Sequence, residues 1–198
     1  MTGGQRTRFR VETIPIYTIG YGNRTMSDFL KLLKDYDIQY LVDLRSQPYS
    51  RFKPEFSQRE LEQHLKQAGI RYMFMGDTLG GRPDDSDCYL DGDVKSKVDY
   101  TKLRAKPFFQ QGIERVQTAW EKQLPVVLMC SELKPEECHR SKLIGTTLAE
   151  RGITIAHIDE AGKLKTQAQT EPDQLSLFGL NPKLETSRKK YHSQDKSE

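Results

Sequence analysis

Short apolar runs alternate along this chain with amphipathic stretches of helical period. Runs at 16–19, 39–44, 70–75, 125–129 and 153–158 carry β-branched, aromatic and aliphatic residues and read as strands. Between the first two, Phe29, Leu30, Leu33 and Tyr36 recur at helical spacing behind a candidate N-cap at Ser27. Leu61, Leu65 and Ala68 follow Ser57 and Glu60, which have the spacing of a capping box, and Gly69 is a C-terminal stop. Phe109, Ile113, Val116 and Trp120 mark a third helix. Leu143, Ile144, Thr147 and Leu148 mark a fourth, ending near Gly152. The stretch 76–104 is long and polar, with Gly80-Gly81-Arg82-Pro83 and Asp84-Asp85-Ser86-Asp87, and is expected to be a functional loop or an insertion.

Strands that alternate with helices imply right-handed crossovers and a mainly parallel sheet. The expected architecture is one Rossmann-like α/β domain over 15–162, with a five-stranded, mainly parallel sheet flanked by helices. A basic leader over 1–14 precedes it. From 163 to 198 the pattern dissolves into Gln, Thr, Lys, Ser and Pro, the composition of a disordered tail.

Composition narrows the function class only a little. Of 198 residues, 35% are hydrophobic, enough for one core, and 30% are charged, with a mean hydropathy of −0.74. The net charge of +3 permits a nucleic-acid partner without demanding one, because a few clustered Arg and Lys set local affinity more than the total does. Three cysteines, Cys88, Cys130 and Cys138, are the wrong number for a secreted disulfide framework. The first residues lack the apolar core of a signal peptide, and no run approaches the roughly 18 apolar residues of a membrane span. The expected location is cytoplasmic.

In an open parallel sheet, ligands bind beyond the carboxyl ends of the strands. Those ends deliver Gly20 and Asn23, then Asp43 and Arg45 with Arg51 beyond, then Arg82, then Cys130 and Glu132, then His157 and Asp159. Gly20-Tyr21-Gly22 is a strand-to-helix turn without the third Gly of a dinucleotide fingerprint, since Thr25 stands there. Arg45, Arg51 and Arg82 suit an anion clamp on phosphate or carboxylate; the alternative is a set of ion pairs with Asp43, Asp77 and the acidic loop.

The segment from Cys130 to Arg140 is the sharpest feature. A thiol near a helix N-terminus and beside an Arg favours its thiolate, and a neighbouring His can serve as acid or base. Three uses compete: Cys130 or Cys138 as a nucleophile, a reversible disulfide between them, or a metal held by Cys130, Cys138 and His139 with Glu132 as fourth ligand. The spacing Cys-x7-Cys-His fits no familiar zinc pattern, so no cofactor is expected. Cys130 is also readable as a small buried hydrophobe. Cys88, in the polar stretch, is given no role.

Five blocks resemble the domain-of-unknown-function family 488, in that family's order: Tyr17-Thr-Ile-Gly-Tyr-Gly-Asn-Arg24, Leu41-Val-Asp-Leu-Arg45 with Pro48 and Arg51, Leu79-Gly-Gly-Arg82, Leu128-Met-Cys-Ser-Glu132, and Cys138-His-Arg140. Tyr21 and Gly22 stand where the family frequently has a His-Ser pair. The resemblance spans about 16–160 and implies an α/β fold with Asn23, Arg45, Arg51, Arg82, Cys130, Glu132, Cys138, His139 and Arg140 as site residues; it implies no particular activity.

Near the end of the chain, Gln174-Leu175-Ser176-Leu177-Phe178 resembles the peptide that bacterial polymerases and repair proteins insert into the DNA sliding clamp. Gln174 suits a small polar pocket, and Leu177 and Phe178 suit an apolar groove. The combined expectation is a DNA repair or replication accessory factor tethered to the clamp, with a nucleic-acid, nucleotide or phosphate site of thiol-dependent chemistry at the strand ends. Cys130, Glu132, Cys138, His139 and Arg140 would carry the chemistry, and Gly20, Asn23, Asp43, Arg45, Arg51 and Arg82 the ligand. The alternatives are a small-molecule thiol enzyme with the tail as an intramolecular latch, and a non-catalytic adaptor.

Overall fold

The computed structural model describes residues 13–170. The leader up to residue 12 and the peptide at 174–178 lie outside the described residues.

All five expected strands form: β1 Ile16–Gly20, β2 Tyr40–Asp43, β3 Arg71–Phe74, β4 Val126–Cys130 and β5 Ile155–Ile158. They pair in parallel, in the order β3-β2-β4-β1-β5. A sixth strand, β6 Leu164–Thr166, adds antiparallel to β5, so the sheet has six strands rather than five. It lies in the stretch expected to be tail. Three residues, Leu164, Lys165 and Thr166, are too few to show an alternating apolar face and gave no periodic signal. The strand is held by backbone pairing, and by Gln167 and Thr170, which are buried in the turn that follows.

Helices cover both faces. Phe29 and Leu33 of α1 (Met26–Asp35) and Leu61 and Leu65 of α2 (Gln58–Gln67) pack with Ile19, Leu41, Val127 and Met129. On the opposite face, Phe109, Ile113 and Val116 of α5 (Pro107–Glu121) pack with Val42, Val126 and Leu128. Leu148 of α6 (Thr146–Glu150) joins that second cluster. Alternate strand residues thus feed alternate cores, and the centre of β4 is buried on both sides.

Two helix starts differ from expectation. Thr25 caps α1, accepting from the Asp28 N–H at 3.1 Å, two residues before Ser27. Ser57 precedes α2, but its hydroxyl accepts from the Ser50 N–H at 3.2 Å, so no capping box forms. The polar stretch 76–104 is packed, not open. It folds into two short helices, α3 Gly76–Leu79 and α4 Tyr100–Arg104, and buries Leu79, Cys88, Tyr89, Val98, Tyr100 and Leu103 in the second core. Its apolar residues are too scattered for helical or strand period, which made a core segment look like a loop. No helix among the described residues is long and apolar enough to cross a membrane.

The topology fixes where a ligand should sit. From β1 the chain crosses toward β2, on one side of the sheet order; from β4 it crosses over β1 to β5, on the other. The switch point therefore lies between β1 and β4, whose terminal residues Gly20 and Cys130 are paired in register.

Candidate functional site

At that switch point four side chains converge. Cys130 ends β4. Glu132 follows in the loop. Cys138 and His139 precede a π-helical turn, Arg140–Gly145, that runs into α6. One ligand atom from each, two sulfurs, a carboxylate oxygen and Nδ1 of His139, all lie within 4.8 Å of one another. Both thiols point at the same oxygen, Glu132 Oε2, from 3.0 and 3.1 Å. His139 Nδ1 is 3.7 Å from the Cys130 sulfur and 3.8 Å from that of Cys138. Cys130, Cys138 and His139 are buried, while Glu132 is half-exposed.

Arg140 holds this arrangement together. Its side chain is fully buried, and its guanidinium donates to the carbonyls of Glu132 and, at 2.9 Å, Leu133. Its backbone N–H approaches the Cys138 sulfur at 3.4 Å. The loop 131–133 lies tightly over β1: a Cβ on Gly20 would overlap the Glu132 carbonyl oxygen and crowd the Arg140 guanidinium. On the other side, a Cβ on Gly81 would meet His139 Nδ1 at 2.8 Å, so only glycine fits against that ring. A π-turn beside a side-chain cluster is a frequent feature of functional sites.

The electrostatics divide the two thiols. Burial pushes the Cys138 thiol up, but the hydrogen bond from Cys130 and the charges of Arg140 and His139 outweigh it and hold it well below the ordinary value. Cys130, donating to Cys138, buried, and facing Glu132, is held well above it. Burial alone would lower the His139 pKa; Cys138 and Glu132 raise it overall.

The expected anion clamp does not take that form at Arg45. Arg45 is buried and forks onto Asp43 through Nε at 2.9 Å and Nη2 at 2.6 Å, the ion-pair alternative. Tyr72 donates to the same carboxylate at 2.9 Å, and Arg45 Nη1 is left without a partner. Arg82 is exposed; it donates to the Val94 carbonyl at 2.6 Å and lies over the Tyr89 ring, not against Asp77. Arg51 and Asn23 are exposed. Two further rim expectations change. His157 is mid-strand and fully buried, bonded to Thr18 and Gln167. Asp159 caps its own turn by accepting from the N–H groups of Ala161 and Lys163.

Arg24 was not singled out from sequence. It is buried and donates to the carbonyls of Gly20 and Asp159, tying the end of β1 to the end of β5. Its place in the block 17–24, one residue after the candidate Asn23, was the available signal.

The family model for the domain of unknown function DUF488 matches residues 25–147, more than half of the chain, including every member of the thiol cluster. Comparison with curated proteins and with solved structures finds no match.

Proposed function

The chain belongs to the DUF488 family, and we propose that its site is a thiolate-rich centre for a divalent ion of the zinc class, working on an anionic substrate at the strand-end rim. The observation that carries this reading is the spacing of the four donor atoms. Tetrahedral coordination at Zn–S of about 2.3 Å and Zn–N of about 2.0–2.1 Å places ligand atoms about 3.5–3.8 Å apart. The two sulfur-to-Nδ1 distances, 3.7 and 3.8 Å, match. The sulfur-to-carboxylate distances, 3.0 and 3.1 Å, are shorter and would open slightly around an ion.

Charge supports the same reading. Two thiolates and a carboxylate carry three negative charges; buried Arg140 offsets one, and a divalent cation offsets the other two. Glu132 is the most solvent-accessible of the four and so the one able to leave. Cys130, Cys138 and His139 would hold the ion, and Glu132, as the accessible member, would stand beside it as a fourth donor or as proton acceptor for a water or substrate. A bound ion would supply Lewis acidity and an activated water.

Cobalt(II) tests the assignment. Full-length protein stripped and reloaded with cobalt should show sulfur-to-metal charge transfer and intense tetrahedral bands, lost in Cys138→Ser. Weak octahedral bands, unchanged by Cys138→Ser, would overturn it.

A second reading has its own support. The Arg140 N–H on the Cys138 sulfur and the adjacent His139 suit a nucleophilic thiolate, with Cys130 placed to resolve it as a disulfide. That reading requires iodoacetamide reactivity at low pH that Cys138→Ser abolishes in metal-free protein.

The setting we propose is DNA repair or replication, with 174–178 docking on the bacterial sliding clamp. What supports this is the peptide's sequence. Tethering raises effective concentration, so a mildly charged domain suffices. Titrating purified clamp with the peptide 170–182 and its Phe178→Ala form tests it; no binding by the natural peptide would remove the clamp from the account.

A further inference from the structure

The loop between β2 and α2 presents the two most exposed large hydrophobic side chains among the described residues, Phe52 at 84% and Tyr49 at 73%. They stand on a backbone pinned at several points. The Pro48 carbonyl accepts from Gln58 N at 2.8 Å, and the Ser50 N–H donates to Ser57 Oγ at 3.2 Å. The buried Ser50 hydroxyl accepts from Tyr21 at 3.3 Å, and Lys53 Nζ donates to the Arg24 carbonyl at 2.8 Å. Beneath them Tyr21 stacks on Phe56 with ring centroids 4.4 Å apart. Two aromatics held out on an anchored loop mark a contact surface.

The charge says what kind of contact. From Arg45 to Lys53 there are three basic residues and no Asp or Glu. Arg45 is held by Asp43 and Lys53 by a backbone carbonyl, while Arg51, between the two aromatics in sequence, is exposed, its guanidinium 6.0 Å from the Phe52 ring centroid. Exposed flat faces with an arginine next to them in sequence suit bases and phosphates, whereas an apolar peptide would call for a groove. The loop also borders the thiol cluster. It leaves the carboxyl end of β2, and Ser46 Oγ accepts from Arg82 N at 3.0 Å, next to Gly81, which lies against His139.

We propose that Tyr49 and Phe52 form a stacking platform for successive bases of a single-stranded nucleic acid, with Arg51 at the phosphates, and that this platform feeds the neighbouring centre. This rests on the reading that the substrate is a nucleic acid. A duplex keeps its base faces occupied and offers them nothing to stack on.

The test is fluorescence anisotropy of full-length protein with labelled oligonucleotides of about 12 nucleotides, within the usual 4–16 nucleotide site size. Single-stranded DNA, single-stranded RNA and duplex DNA of one sequence are compared. Single strands should bind more tightly than duplex. Tyr49→Ala and Phe52→Ala should each weaken binding about tenfold, Phe52→Trp should retain it, and the difference between DNA and RNA names the source. Metal content should be the same in all variants, so failure here leaves the metal reading standing and the reverse also holds. Absence of binding, equal binding of duplex and single strand, or a double variant that binds like wild type would each overturn the platform.

Discussion

His157 sits at the junction of the core sheet and its late sixth strand, and its protonation state should control how firmly that junction holds. The ring is fully buried, with Nδ1 at 2.7 Å from the Thr18 hydroxyl and Nε2 at 2.8 Å from Gln167 Oε1. With Nε2 protonated, the ring donates to Gln167 and accepts from Thr18, so the neutral form satisfies every partner. Burial lowers its pKa to about 4; the Gln167 hydrogen bond opposes, Arg140 lowers it further, and Glu136 raises it. The folded value lies below the unfolded value of about 6.5, so the unfolded chain binds the extra proton. The resulting stability is fully present above about pH 6.5 and is lost as the pH falls toward 4. The full shift corresponds to roughly 3 kcal/mol, of which about 2 kcal/mol is already lost at about pH 5. Urea unfolding of wild type and His157→Gln at about pH 7.5 and about pH 5 reads this directly, because other groups cancel between the two proteins. The wild type should lose about 2 kcal/mol more than the variant on acidification. Equal losses would refute the assignment of a buried neutral ring.

Three other perturbations follow from the same geometry. Asp43→Asn leaves buried Arg45 without its forked partner and should cost about 3–5 kcal/mol by denaturant unfolding; a loss under about 1 kcal/mol would mean water reaches that guanidinium. Gly20→Ala should displace the Glu132 loop and lower stability by about 3 kcal/mol, with a parallel loss of metal affinity in a chelator competition. Unchanged affinity would show that the loop does not position the ligands. A chain ending at 162 removes β6 and Gln167 and exposes the edge of β5, so it should aggregate on heating where a chain ending at 170 does not.

The order of the five parallel strands and their helices was legible because each element is long enough to show its period. Gly69, at φ +77°, ends α2 as read. What escaped was short or aperiodic. β6 has three residues, too few to show an alternating face, and Cys88 and Tyr89 reach the core from a stretch whose composition is polar. In the site, Cys130, Glu132, Cys138, His139 and Arg140 were legible as a group from sequence proximity. Their convergence on one point was one of three alternatives there, because it depends on the π-turn and on buried Arg140 folding the loop back over Gly20. The three-arginine clamp failed for Arg45 because Asp43, two residues away, returns to the same edge and offers a fork at no loop-closure cost. Tyr49 and Phe52 carry no periodic signal in sequence, and only the fold shows that they stand outside.

In the proposed centre, Cys130, Glu132, Cys138 and His139 gather around a metal ion. The most direct measurement is the metal content of full-length protein purified without chelator, by native and elemental mass spectrometry, beside Cys138→Ser and Arg51→Ala. About one divalent ion of the zinc class per chain is expected, retained in Arg51→Ala and lost in Cys138→Ser. A metal-free protein that stays metal-free after equilibration with zinc or iron(II), with both thiols open to titration, would contradict it.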